Sequence, residues 1–154
     1  MTNLNGTPRI MVVEDEGIIA QDIKNCLEGL GYIVPDVVFT GREAIARAEE
    51  LRPDLVLMDI NMPGSDGITG LKEIKKNYPH IKVLMQTVFD DTDKIFECIR
   101  NGASGYILKK DSPQRILQAI QEVYDGGAVM NPGIALKVLD YFQPKKTQNP
   151  LSVR

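Results

Sequence analysis

Asp54-Leu-Val-Leu-Met-Asp59-Ile-Asn-Met-Pro63-Gly-Ser-Asp-Gly67 is the stretch on which the fold turns. A mostly apolar run leads into Asp59, and Pro63, Gly64 and Gly67 then mark a loop. A short continuous apolar run bounded by turn residues reads as a strand buried on both faces of a parallel sheet. Asp59 then stands at the strand's carboxyl end, where open α/β sheets place their ligands. A carboxylate presented there by a Pro/Gly loop is a candidate nucleophile or metal ligand. Taken alone, the stretch fits a helix N-cap or a turn aspartate equally well.

Working outward, the same grammar repeats. Ile10-Met-Val-Val13 is a first strand that ends in Glu14-Asp15-Glu16, three acids in a row. Ile18, Ile19, Ile23, Cys26, Leu27 and Leu30 recur at helical spacing, and Gly31 stops that helix. Tyr32 to Phe39 reads as a second strand, placed at an edge by Pro35. A helix from Thr40 or Gly41 to Leu51 carries Ala44, Ile45 and Ala48 inward and is broken by Pro53. Beyond the central loop, a helix over 68–78 turns Leu71 and Ile74 inward. Ile81 to Thr87 is a fourth strand, Asp90-Asp91 open a helix to Asn101, and Gly105 to Lys109 is a fifth strand. Ser112 caps a fifth helix with Pro113 in its first turn, and Gly126-Gly127 end it.

Strands joined by helical crossovers are parallel, with right-handed connections. The expected fold is α/β: a doubly wound, five-stranded parallel sheet of order 2-1-3-4-5 in a flavodoxin-like three-layer sandwich. Its carboxyl edge collects Glu14, Asp15, Asp59, Thr87 and Lys109.

Composition narrows the classes. The chain has 154 residues, 43% hydrophobic and 25% charged, which suits one domain with a tail. A net charge of -3 gives no general pull toward nucleic acid or anionic membrane. Cys26 and Cys98 lack CxxC spacing and sit in amphipathic helical patterns, so they are expected to be buried free thiols, as suits a cytoplasmic protein. No run reaches the roughly 20 apolar residues of a membrane span, and the N-terminus lacks a signal-peptide core. His80 is the single histidine, which excludes a multi-histidine metal site.

The edge residues have a joint chemistry. Three crowded carboxylates either raise a carboxyl pKa or bind a cation. Oxygen donors without imidazole or thiolate favour a hard ion, and a small donor set favours Mg²⁺ over Ca²⁺. With a hydroxyl at Thr87 and an ammonium at Lys109, the set is a phosphoryl-transfer site in which Asp59 attacks phosphorus in line.

Val12-Val-Glu-Asp-Glu16, Pro53 to Gly64 with Asp66-Gly67, Thr87, and Gly102-Ala-Ser-Gly-Tyr-Ile-Leu-Lys109 together resemble the receiver domain of a bacterial two-component response regulator. The resemblance spans roughly residues 9 to 127. It implies that Asp59 is the phospho-acceptor and that Glu14 and Asp15 bind Mg²⁺ with Asp59 and the backbone carbonyl of Asn61. It implies that Thr87 and Lys109 contact the phosphoryl group and that Tyr106 is the switch aromatic. It also implies a histidine kinase as donor and a bistable surface made of the fourth helix, fifth strand and fifth helix. Such a domain is not an enzyme in the ordinary sense, although it assists its own phosphorylation and dephosphorylation.

Two positions depart from the common pattern. Glu14 stands where many members have Asp, and its longer side chain is expected still to reach the metal. Lys110 follows Lys109 where many have a cis proline, so a trans bond is expected, as in the NarL/LuxR-type subgroup. Residues 128–143 read as an extra linker helix, with Pro132 in its first turn and Ile134, Val138, Leu139 and Phe142 at helical spacing. Residues 144–154 read as a flexible linker leading into Leu151-Ser-Val-Arg154, which resembles the start of a truncated helix-turn-helix output domain. DNA would then be contacted only through a missing C-terminal domain, with self-association or release of that domain as the output. Lys145-Lys146 is read as a solvated linker pair rather than a phosphate contact. Residues 1–8 are expected to be frayed. Phe89 is a candidate shield of the acyl phosphate against water, with loop packing as its other reading.

Other classes stay in view. A stand-alone receiver, or a phosphorylation-independent interaction module, would carry the same fold. A phosphatase of the haloacid dehalogenase type also uses a strand-end Asp with Mg²⁺, but it wants a second Asp where this chain has Asn61. A flavodoxin-like cofactor binder would need a phosphate loop after the first strand, and none follows Val13.

Overall fold

The computed structural model describes residues 7–62, 65–88, 92–130 and 132–142. Five strands form one sheet: β1 (Ile10–Val13), β2 (Val37–Val38), β3 (Leu55–Asp59), β4 (Lys82–Thr87) and β5 (Gly105–Leu108). Their order is β2-β1-β3-β4-β5 and all pairings are parallel. Among the described residues six helices accompany them: α1 (Gly17–Gly29), α2 (Gly41–Leu51), α3 (Gly67–Asn77), α4 (Thr92–Arg100), α5 (Pro113–Tyr124) and α6 (Pro132–Phe142).

Strand alternation splits the core in two. Met11, Val13, Val56, Met58, Val83, Met85 and Tyr106 face one way, onto Ala44, Ala48, Leu71, Ile74, Ile95 and Cys98 of α2, α3 and α4. Ile10, Val12, Leu55, Leu57, Leu84 and Ile107 face the other way, onto Ile23, Leu27, Ala119, Ile120 and Val123 of α1 and α5. Successive side chains of a strand point to opposite faces, so unbroken apolar runs require helices on both. This is the expected three-layer sandwich. Local signals also act as expected: the Thr40 hydroxyl accepts from the Glu43 N–H to cap α2, and Ser112 caps α5 through the Arg115 N–H.

Several expectations are corrected. The second strand is not continuous over 32–39: Ile33 makes an isolated bridge to Arg9, and only Val37–Val38 pair with β1. Pro35 lies between them and has no N–H to give the ladder. Cys26 is exposed rather than buried, while Cys98 is buried, and both thiols are free. The buried arc of α1 is Ala20, Ile23 and Leu27, which leaves Cys26 at its rim and Ile18 and Leu30 in solvent. Asn61–Met62 and Ser65–Asp66, expected as plain loop, pair as a short antiparallel hairpin between β3 and α3.

α6 forms where the extra linker helix was expected. It lies against α4: the Tyr141 ring stands 4.6 Å from that of Phe96, and the Arg100 guanidinium donates to the Tyr141 hydroxyl at 2.9 Å. Val138 packs on the core, but Leu139 is exposed, as is Leu136. No peptide bond among the described residues is cis, so Lys109–Lys110 is trans. The readings of residues 1–6, Phe89, the Asp90-Asp91 helix start, and the linker and output segment over 143–154 fall outside the described residues.

Candidate functional site

β1, β3, β4 and β5 run parallel, so their carboxyl ends share one edge. Glu14 follows β1, Asp59 ends β3, Thr87 ends β4 and Lys109 follows β5. Backbone bonds hold these ends in place: Glu14 N–H donates to Val38 O, Ile60 N–H to Gln86 O, and Lys109 N–H to Thr87 O. The structure therefore brings together these four residues singled out from the sequence, and the fifth, Asp15, completes the acidic group. One carboxylate oxygen each from Glu14, Asp15 and Asp59 lies within 4.8 Å of the others.

Lys109 Nζ is the counter-charge. It lies 2.8 Å from Asp59 Oδ2, 3.1 Å from both Glu14 oxygens and 3.8 Å from Glu16 Oε1. Asp59 Oδ1 accepts the Asn61 N–H at 2.9 Å, and Glu14 Oε2 accepts the Glu16 N–H at 3.1 Å. Glu14 Oε1 and Asp59 Oδ2 sit within ion-pair reach of the ammonium, yet no hydrogen bond of good angle reaches either. Both side chains are fully buried.

The titration behaviour follows. Burial pushes the Glu14 carboxyl up, the Glu16 N–H bond opposes it and the Asp59 charge adds to it, so the group titrates at about 7. Burial likewise raises Asp59, opposed by the Lys109 ammonium beside it and by the bond from the Asn61 N–H. For Lys109, burial alone would lower the ammonium, but the Asp59 and Glu14 carboxylates that face it together raise it. Three carboxylates thus face one ammonium that stays charged.

A divalent cation fits this donor set. Two buried carboxylate oxygens lack hydrogen bonds, the acids outnumber the base, and all side-chain donors are oxygens. Glu14 reaches the group despite its extra methylene. The α3 N-terminus closes in tightly from the hairpin side: a Cβ on Gly67 would stand 2.1 Å from the Asp59 carbonyl oxygen.

Tyr106 lies on β5. The residue named as the switch aromatic is 3% exposed, within the core cluster that holds Met85, Ile95 and Cys98. Its register opposite Met85 sends the ring to the α3–α4 side of the sheet. The side chain of Asn61, for which only the backbone carbonyl had been singled out, also enters the site. Its Oδ1 accepts from the Thr87 hydroxyl at 3.2 Å and from the Val88 N–H at 3.4 Å. The position two residues after a strand-end Asp was the available signal.

A parallel 2-1-3-4-5 sheet with an acidic group, a hydroxyl and a lysine at its carboxyl edge defines a class, that of signalling receivers rather than ordinary enzymes. The response regulator receiver domain family matches residues 10–121, and the chain belongs to it. Among curated proteins it is 38% identical over 141 residues to the transcriptional regulatory protein LnrK of Bacillus subtilis, covering 90% of this chain and 63% of that protein. The chain thus spans less than two thirds of that relative's length. Among solved structures, a LuxR-family two-component response regulator from an Aurantimonas species superposes with a TM-score of 0.80 at 30% identity, covering 88% of this chain and 97% of that one. A CheY-like receiver domain protein from Methanospirillum hungatei superposes with a TM-score of 0.74 at 31% identity, over 77% and 94% of the two chains. The LuxR-family neighbour and LnrK agree with a NarL/LuxR-type subgroup. No helix among the described residues is long and apolar enough to cross a membrane.

Proposed function

We propose that this domain accepts a phosphoryl group on Asp59 from a sensor histidine kinase and controls a DNA-binding output through its α4-β5-α5 surface. The observation that carries the reading is the buried Asp59 carboxylate at the end of β3, 2.8 Å from Lys109 Nζ and grouped with Glu14 and Asp15. Glu14, Asp15, Asp59 and the Asn61 carbonyl would hold Mg²⁺, which when bound neutralises charge on the phosphoryl oxygens. An Asp59 oxygen forms the new O–P bond, and the P–N bond of the kinase phosphohistidine breaks with its electron pair going to the imidazole. Lys109 and Thr87 meet the equatorial oxygens, one with charge and the other with a hydroxyl proton. Phosphorylation adds nearly two negative charges, which bias Thr87, Tyr106 and the α4-β5-α5 surface between two arrangements. Residues 9–127 form the receiver and α6 leads toward the output. Transcriptional control follows the kinship with LnrK, whose name describes a transcriptional regulator.

Intact mass after incubation with acetyl phosphate and Mg²⁺ tests this. The expected result is a phosphoryl adduct that requires Mg²⁺ and is lost in Asp59→Asn. A folded parent without adduct would favour a phosphorylation-independent interaction module. An adduct retained in the variant would move the acceptor to another carboxylate.

A further inference from the structure

Asn61 joins two groups that the proposed switch must re-pair. Its backbone N–H donates to Asp59 Oδ1 at 2.9 Å. Its side-chain oxygen accepts the Thr87 hydroxyl at 3.2 Å, across 26 residues of sequence. Val88 N–H also points at that oxygen, at 3.4 Å. Two donors converging on one atom settle which end of the amide faces them: the oxygen does, because an NH₂ group cannot accept from an N–H. The hairpin Asn61–Met62 with Ser65–Asp66 anchors the backbone carrying this amide.

A hydroxyl has a single proton to donate. While Thr87 gives it to Asn61, it is not given to a phosphoryl oxygen on Asp59. The amide oxygen and the phosphoryl group therefore compete for one donor. Asp59 and Thr87 end neighbouring strands at the same sheet edge, and rotation of the Thr87 side chain is the motion that would exchange the two acceptors. The Val88 N–H remains as a partner for Asn61 Oδ1 after Thr87 leaves, which lowers the cost of release.

We propose that the Asn61 side chain is a positioning residue that holds the Thr87 hydroxyl in the unphosphorylated domain and thereby sets how readily Thr87 turns to the phosphoryl group. Its kinetic consequence rests on Asp59 being the phospho-acceptor; its conformational consequence does not. Asn61 acts here through Thr87 and not on phosphorus.

Two measurements separate these consequences. In the unphosphorylated protein, three-bond couplings to the Thr87 methyl carbon report its χ1 rotamer. The parent and Asn61→Asp, which keeps the acceptor oxygen, are expected to hold one rotamer. Asn61→Leu and Asn61→Ala are expected to average. A single retained rotamer in folded Asn61→Leu and Asn61→Ala overturns the proposal. With acetyl phosphate and saturating Mg²⁺, Asn61→Leu is expected to form the adduct faster than the parent by roughly three- to tenfold, the range of one net hydrogen bond. In a Thr87→Val background the same substitution is expected to change the rate by less than about twofold, since no hydroxyl remains to release. Equal acceleration in both backgrounds, or none in the first, overturns it. A parent that forms no adduct on Asp59 refutes the phospho-acceptor reading, while the rotamer result still decides whether Asn61 holds Thr87.

Discussion

Glu14 titrates at about 7 because burial removes its carboxylate from water, an effect the Glu16 N–H only partly offsets and the Asp59 charge reinforces. An acid whose folded pKa lies above its ordinary 4.5 binds more protons folded than unfolded between the two values. Stability of the metal-free domain is therefore expected to be highest below pH 4.5 as far as this group is concerned, and to fall as pH rises toward about 7. Urea midpoints in chelator at several pH values in that window check the sign, and Glu14→Gln should flatten the decline. A midpoint that rises through the window would place Glu14 in a more favourable setting than its burial implies. At this same scale, Asp59, Thr87 and Lys109 were legible from sequence because each ends an apolar run, and a strand end in a parallel sheet has only one place to go. The Asn61 amide was not legible: its bond to Thr87 depends on the hairpin geometry that follows β3.

α4 illustrates what an element owes to its neighbours. Phe96 is 8% exposed but belongs to neither apolar cluster of the sheet. Its ring meets Tyr141 of α6 at 4.6 Å, and Arg100 adds a bond and a cation–π contact to the same tyrosine. An aromatic pair is worth about 0.5–1.5 kcal/mol beyond area. Tyr141→Ala is thus expected to lower unfolding free energy by roughly 1 kcal/mol, read as a shift in denaturant midpoint at unchanged slope. No shift would mean that α6 adds nothing to α4. The helical spacing over 132–142 announced α6 as a helix, but not the face it uses, since Val138 turns inward while Leu136 and Leu139 stay in solvent. The same limit applied at α1, where a broad apolar pattern hid which residues would be buried: Cys26 lies only one position before Leu27, yet the helix rotation leaves it exposed.

For the whole molecule, the site is a local excess of buried negative charge carried by an otherwise well-packed sheet. A ligand that binds only the folded state stabilises it by mass action, about 2.7 kcal/mol at 100 times its dissociation constant. Mg²⁺ is expected to raise the thermal midpoint of the parent in this way. Asp59→Asn should be more stable than the parent in chelator and gain much less from Mg²⁺, because it removes one of the repelling charges and one donor together. Equal Mg²⁺ stabilisation of both proteins would locate the cation elsewhere.

The sequence by itself determined the alternation of strands and helices, the parallel sheet, and the set of chemical groups at its carboxyl edge. It did so because apolar period, turn residues and caps act locally, and because parallel strands joined by helices must end on one side. Tertiary structure alone decided which oxygens of Glu14 and Asp59 are left without hydrogen bonds, where Tyr106 rests, which partner Thr87 takes and how α6 lies on α4. These depend on contacts between residues far apart in the chain, whose distances only the packed sheet and its helices set.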